Sequence, residues 1–180
     1  NIHVQIKGIK LWNVPSFGTF SFPSEENPLG SWDSSQALKV TYTVGMDQES
    51  VMVATSDVAT NISENKPLLV IPCTLEKWER TTSATDPDQP NAFLQIECKI
   101  WKGSGDDVHS FVPQEGESGE YGYTYVPFGA TWEPGKRYVY TLVFGGGYTV
   151  DGEGIDIVPI TFEANVDAWE TQSVDVTASN

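Results

Sequence analysis

Apolar residues recur at every second position in several separate stretches, and this spacing constrains the chain more than any other feature. They are Ile2, Val4, Ile6; Leu38, Val40, Tyr42, Val44; Leu94, Ile96, Cys98, Ile100; Tyr138, Tyr140, Leu142, Phe144; and Ile160, Phe162, Ala164, Val166. A side chain that changes faces at each residue belongs to an extended strand with one face buried, whereas a helix repeats every 3.6 residues or so. Between these stretches stand turn formers, as in Pro23-Ser-Glu-Glu-Asn-Pro28, Thr85-Asp-Pro-Asp-Gln-Pro90, Gly103-Ser-Gly-Asp-Asp107, Gly116-Glu-Ser-Gly119 and Gly145-Gly-Gly147. Their backbone preferences interrupt helices and reverse the chain. The expected fold is all-β, an antiparallel Greek-key-like β-sandwich of about ten strands, because parallel neighbours need long, usually helical, crossovers. Only Thr55 to Asn61 offers a helical turn or two. Pro67-Leu-Leu-Val-Ile-Pro72 reads as a short core strand buried on both faces and punctuated by proline.

The 180 residues fit one domain, 1–180, with the loop from Thr81 to Pro90 as its main excursion. Ten Lys and Arg against twenty-five Asp and Glu give a formal charge of -15, which repels phosphate backbones, so no nucleic-acid partner is expected. No apolar stretch has the length of a membrane span, and the amino end carries neither a start Met nor a leader, as in a chain that begins mid-protein or after processing. Cys73 and Cys98 are too few for a disulfide scaffold and too far apart for a metal knuckle. If their strands pair, a bridge is geometrically open to them, but two buried free thiols are at least as strong a reading.

Chemistry has a thin inventory. The only histidines are His3, on the polar beat of the first strand, and His109, in a Gly/Asp loop, and both read as solvated. HExxH, GxSxG and phosphate-loop motifs are absent. A carboxylate pair of the glycosidase kind needs an acid in an apolar pocket, and Asp86, Asp88, Asp106 and Asp107 fall in polar loops. No catalytic residue, cofactor or metal is assigned. Asp151-Gly-Glu-Gly-Ile-Asp156 places oxygen donors at alternate positions, as calcium prefers, but fails the EF-hand spacing and reads equally as a solvated hairpin. Tyr121, Tyr123 and Tyr125 form a stripe that would suit stacking on sugar rings if it lies exposed; the same alternation, and the scattered Trp12, Trp32, Trp78, Trp101, Trp132 and Trp169, also serve as packing residues.

The ordered blocks Gly8-Ile-Lys-Leu-Trp-Asn-Val14, Gly18-Thr-Phe-Ser-Phe-Pro23, Leu68-Leu-Val-Ile-Pro72, Trp132-Glu-Pro-Gly-Lys-Arg-Tyr-Val-Tyr-Thr-Leu142, Val158-Pro-Ile-Thr-Phe162 and Val166-Asp-Ala-Trp169 span nearly the whole chain. In this order the chain resembles the carboxy-terminal domain of the fimbrillin-like proteins of Bacteroidales, the type V pilin superfamily. The resemblance implies a transthyretin-like Greek-key fold and no enzyme or cofactor. It implies a lipoprotein precursor exported to the cell surface, its lipid anchor outside this chain, matured into a fimbrial or adhesive subunit. The implied partners are other fimbrial subunits, with host or bacterial surface glycans or proteins beyond them.

Such subunits assemble when an incoming strand satisfies the unpaired backbone and apolar groove of an incomplete sandwich. Residues 170–180 have a pattern suited to this: Val174, Val176 and Ala178 alternate with Ser173, Asp175 and Thr177. The tail reads either as an exchangeable donor strand, with those three apolar residues meeting a neighbouring subunit, or as the domain's own edge strand. The expectation is a structural fimbrial subunit; a surface glycan-binding module using Tyr121, Tyr123 and Tyr125 is the alternative.

Overall fold

The computed structural model describes residues 2–26, 28–53, 59–63, 66–79, 90–105, 107–114, 118–144, 148–151, 154–157 and 161–168, with side chains described up to 144 and at 164–166. In chain order the strands are β1 (Ile2–Pro15), β2 (Thr19–Ser21), β3 (Ser31–Asp33), β4 (Lys39–Thr43), β5 (Val51–Met52), β6 (Cys73–Leu75), β7 (Phe93–Ser104), β8 (Asp107–Val112), β9 (Gly122–Pro127), β10 (Ala130–Trp132), β11 (Lys136–Val143), β12 (Tyr148–Asp151), β13 (Gly154–Ile157) and β14 (Thr161–Ala168). Every ladder is antiparallel, and the described residues contain no helix. The all-β reading holds.

Two long strands organise the molecule. β1 pairs with β7 from Ile2↔Lys102 to Trp12↔Phe93. The far edge of β1 takes β5 and β4; the far edge of β7 takes β9 and β8. Along β1 the buried apolar positions change parity, from Val4 and Ile6 to Ile9 and Leu11, then back to Val14. Strict alternation would turn the second group to the opposite face. The register shifts between Ile6 and Gly8 against β7, and again between Leu11 and Val14 against β4. Each offset absorbs one change of parity, so all three groups face one core. Asn13 at the second offset has φ 64°, a left-handed backbone that Asn tolerates, and its side-chain amide donates to the Asn91 carbonyl at 2.9 Å.

On that core face lie Leu94, Ile96, Cys98 and Ile100 of β7 and Val126 of β9, all buried. A second layer covers them. Leu75 of β6 and Trp132 of β10 belong to the core, and Tyr138, Tyr140 and Leu142 of β11 pack against it. The chain passes from β9 into this layer through the buried Phe128, whose ring meets Tyr140 edge-on at 4.9 Å. Pro134 and Gly135 make the expected turn, with Gly135 at φ +67°, between β10 and β11. It brings the Trp132 indole N–H to the Tyr140 hydroxyl at 2.8 Å, and the Tyr138 hydroxyl accepts from the Glu133 N–H at 2.9 Å.

Two expectations are corrected, and an open alternative is decided. Residues 67–72 form no described ladder, and Leu69 is 78% exposed; pairing begins only at Cys73. An apolar run bounded by prolines carries no periodicity that separates a buried strand from an extended connection, and only Val70 of this run packs against the core. Of the two readings open to the cysteines, free thiols are the one found, with Cys98 buried and Cys73 half-buried: β6 pairs with β10, whereas Cys98 lies opposite Ile6 and Gly122. His109 lies within β8 rather than in a loop. The helical candidate at 55–61 falls mostly outside the described residues, and its described end, 59–61, is not helical. The excursion at 81–90 also falls outside, except Pro90.

Deleting residue 7 removes the first offset and should turn Ile9 and Leu11 away from the core, abolishing cooperative unfolding in urea. Lys7→Ala should leave the urea midpoint nearly unchanged, since the position matters for register and not for its side chain. Ile96→Ala, at a fully buried site, should cost about 2–5 kcal/mol by the same measurement.

Candidate functional site

The side of the central sheet turned away from the core carries an organised set of polar and aromatic residues. Because directly paired residues share a face, its rows follow from the register. One row pairs His3 with Trp101; the next pairs Gln5 with Lys99; Gly8, Glu97 and Tyr123 form a third; Lys10, Gln95 and Tyr125 a fourth; and Trp12, Phe93 and Pro127 a fifth. The tyrosine stripe therefore lies on this outer face. Tyr123 is 56% exposed, while Tyr121 and Tyr125 are half-buried.

Each ring has a different setting. Tyr125 meets Phe93 edge-on at 6.0 Å and takes a long hydrogen bond of 3.4 Å from the Gln95 amide, whose oxygen accepts from the Trp12 indole at 3.2 Å. Phe93 is itself roofed by Trp12 and Trp78, with centroids at 5.7 and 5.5 Å. That end of the face is a packed aromatic cap. At the centre, the offset residue Lys7 projects over the Tyr121 ring at 4.9 Å and donates to the Glu97 carboxylate at 2.9 Å. The hydrogen bond, then the charge of Glu97, raises the Lys7 pKa. Farther along, the Lys99 ammonium lies 5.4 Å from the Trp101 ring, which stacks on His3 at 5.3 Å. His3 is thus half-buried beside an indole rather than simply solvated.

The other sequence candidates do not join this face. His109 Nε2 lies 3.4 Å from an Asp107 oxygen, with both side chains largely exposed, and the contact is an ion pair only when the imidazole is protonated. Asp86, Asp88 and Asp106 lie outside the described residues, as do Val174, Val176, Ala178 and Trp169. Asp151 and Asp156 belong to the β12–β13 hairpin, with side chains outside the described set. Asp33 accepts from the Ser35 N–H at 2.9 Å, which lowers its pKa, the opposite of what a proton-donating acid needs. Among the described residues, no three His, Cys, Asp or Glu side chains are grouped as metal ligands. No described helix is long and apolar enough to cross a membrane.

Two features escaped the sequence reading. The cations Lys7, Lys10 and Lys99 gather on the outer face, and the available signal was the polar beat of β7, Gln95, Glu97, Lys99, set against its apolar beat. A short aromatic hairpin, β2–β3, sets Phe20 against Trp32 at 5.2 Å and Phe22 at 5.5 Å, with Phe22 standing 84% exposed. Comparison with family models, curated proteins and solved structures finds no match to this chain.

Cys98 gives the core a measurable signature. Burial, with a smaller contribution from the Glu97 charge, pushes its thiol up to about 12 from 9.0. The unfolded chain then releases this proton at lower pH than the folded one, so stability is intact below pH 9 and falls between roughly pH 9 and 12. The fall approaches about 1.4 kcal/mol per pH unit. Denaturant titrations across that range should show a shallower decline in Cys98→Ala than in the parent; Cys73 and Tyr140, also raised by burial, and Lys7, raised by Glu97, add to the slope that remains.

Proposed function

We propose that this chain is a structural, non-enzymatic subunit of a bacterial surface fimbria, exported and assembled by β-strand addition in the manner of type V pilins. The observation that carries the reading is an uncovered apolar step at β14. Tyr138 and Tyr140 of β11 pack against the core, yet their direct partners Val166 and Ala164, on the same face, are exposed, Val166 at 53%. The second layer thus extends one strand beyond its cover. In the described ladders β14 pairs only with β11, so its other backbone edge has no partner strand among the described residues.

Both properties suit an added strand. Backbone groups at an edge gain from a ladder, and an alternating strand lays its apolar beat over the step while its polar beat stays in water. The tail with Val174, Val176 and Ala178 has this pattern, and in this proposal the tail of one subunit occupies the step of the next. The Greek-key, transthyretin-like connection of the layers belongs to the same proposal. Sheet-on-sheet packing supplies rigidity in such a subunit, and strand exchange supplies the joint.

Val166→Glu should leave the isolated subunit folded, because the site is half open to water, and should remove the ladder of oligomers that the parent forms on native gels of surface preparations. Truncation of residues 171–180 should do the same. Unchanged ladders in both variants refute assembly through this step, and a truncated chain that fails to fold assigns the tail to the domain's own edge.

A further inference from the structure

The outer face of the central sheet has a charge balance opposite to that of the rest of the chain. The whole protein carries ten Lys and Arg against twenty-five Asp and Glu. The outward positions shared by β1, β7 and β9 hold Lys7, Lys10 and Lys99 but only one carboxylate, Glu97. That carboxylate is engaged by Lys7 at 2.9 Å. Lys10 and Lys99 have no ion-pair partner among the described residues.

The geometry between those two cations is that of a shallow trough. Lys10 lies opposite Gln95 and Lys99 is four residues further along β7, a separation of about 13 Å on an extended strand. The row between them is Gly8, Glu97 and Tyr123. Gly8 needs no special backbone, for its φ is not in the left-handed range, and an added Cβ would meet Glu97 atoms only at 3.6 Å, an ordinary contact. The bare position therefore serves space on the surface and not the fold. Tyr123 closes the row and is 56% exposed.

We infer that this trough binds an acidic saccharide, with a sugar ring lying on Tyr123 above Gly8 and its carboxylate or sulfate groups paired with Lys10 and Lys99. The negative π face of a tyrosine attracts the weakly positive C–H face of a pyranose. The Glu97 carboxylate accepts from sugar hydroxyls, and the two ammonium groups make charge-assisted hydrogen bonds to the anions. A net charge of -15 repels such a ligand at long range, but at physiological salt the screening length is about 8 Å, so a ligand in contact is governed by the cations beside it. A second copy of this chain, equally acidic, is the competing occupant; the exposed ring and the bare glycine row favour a sugar, which needs a flat platform. The inference stands independently of strand-mediated assembly.

The test uses the full chain and calorimetry at physiological salt, with three matched pairs as probes: tetragalacturonate and its methyl ester, sialyllactose and lactose, and a chondroitin sulfate tetrasaccharide and its desulfated form. At least one acidic member should bind tenfold or more tightly than its neutral counterpart. Lys10→Gln with Lys99→Gln should erase that preference, Tyr123→Ala should weaken both members of the pair about tenfold, and Gly8→Gln should weaken both by filling the trough. Far-ultraviolet circular dichroism checks that each variant is folded. No acidic preference in any pair, or a preference unchanged by the lysine substitutions, overturns the inference. So does a lysine variant whose only change is altered self-association in sedimentation, which assigns the face to a second copy.

Discussion

The pairing of β1 with β7 is the constraint on which the rest of the structure depends. A side-chain period of two leaves no tolerance: a strand that slips by one residue exchanges its buried set for its solvated set. β1 is long enough to meet three different neighbours, and its apolar residues change parity twice. Two register offsets, after Ile6 and before Val14, keep Val4, Ile6, Ile9, Leu11 and Val14 on one side. The first offset also lifts Lys7 out of the pleat on the other side, where it reaches Glu97 and covers Tyr121. A single device thus maintains the core and shapes the outer surface.

The second layer is attached by aromatic contacts more than by ladders. Phe128, Trp132 and Tyr140 meet where the chain leaves the central sheet, and the Trp132 to Tyr140 hydrogen bond satisfies a polar group that burial would otherwise penalise. Beyond Tyr140 the cover thins, so that residues directly opposite one another on β11 and β14 differ sharply in exposure. The central sheet and the covering layer therefore end at different places. That mismatch creates the apolar step used in the assembly proposal, while the far side of the central sheet, with no second layer over its middle rows among the described residues, presents charge and rings. The step belongs to the β11–β14 pair and the charged rows to the side of the central sheet turned away from the core, so the proposed joint and the proposed ligand face use different sheets.

Much of the strand content was legible in the residues alone. The alternations at Ile2 to Ile6, Leu94 to Ile100 and Tyr138 to Leu142 are local facts, and each lies in a strand. The tyrosine stripe was readable as one face of a strand, but not as the outer face: that follows from pairing Glu97 with Tyr123, residues whose neighbourhood the intervening sequence does not announce. The apolar run before Cys73 misled because hydrophobicity without periodicity does not say what covers it. The Lys7 to Glu97 contact joins residues ninety positions apart, beyond any local pattern.

By itself, the sequence determined that this chain is built of strands, that turns of Gly, Pro and Asp separate them, and that its surface is strongly acidic. These properties reside in backbone dihedral preferences, side-chain alternation and summed charge, each a local or additive quantity. Only the tertiary structure decided which strands became neighbours, which beat of each strand faced water, and that three of the few cations would share a face with an exposed tyrosine. Those outcomes depend on register between distant segments, and register is set by the collective burial of a shared face rather than by any one stretch of chain.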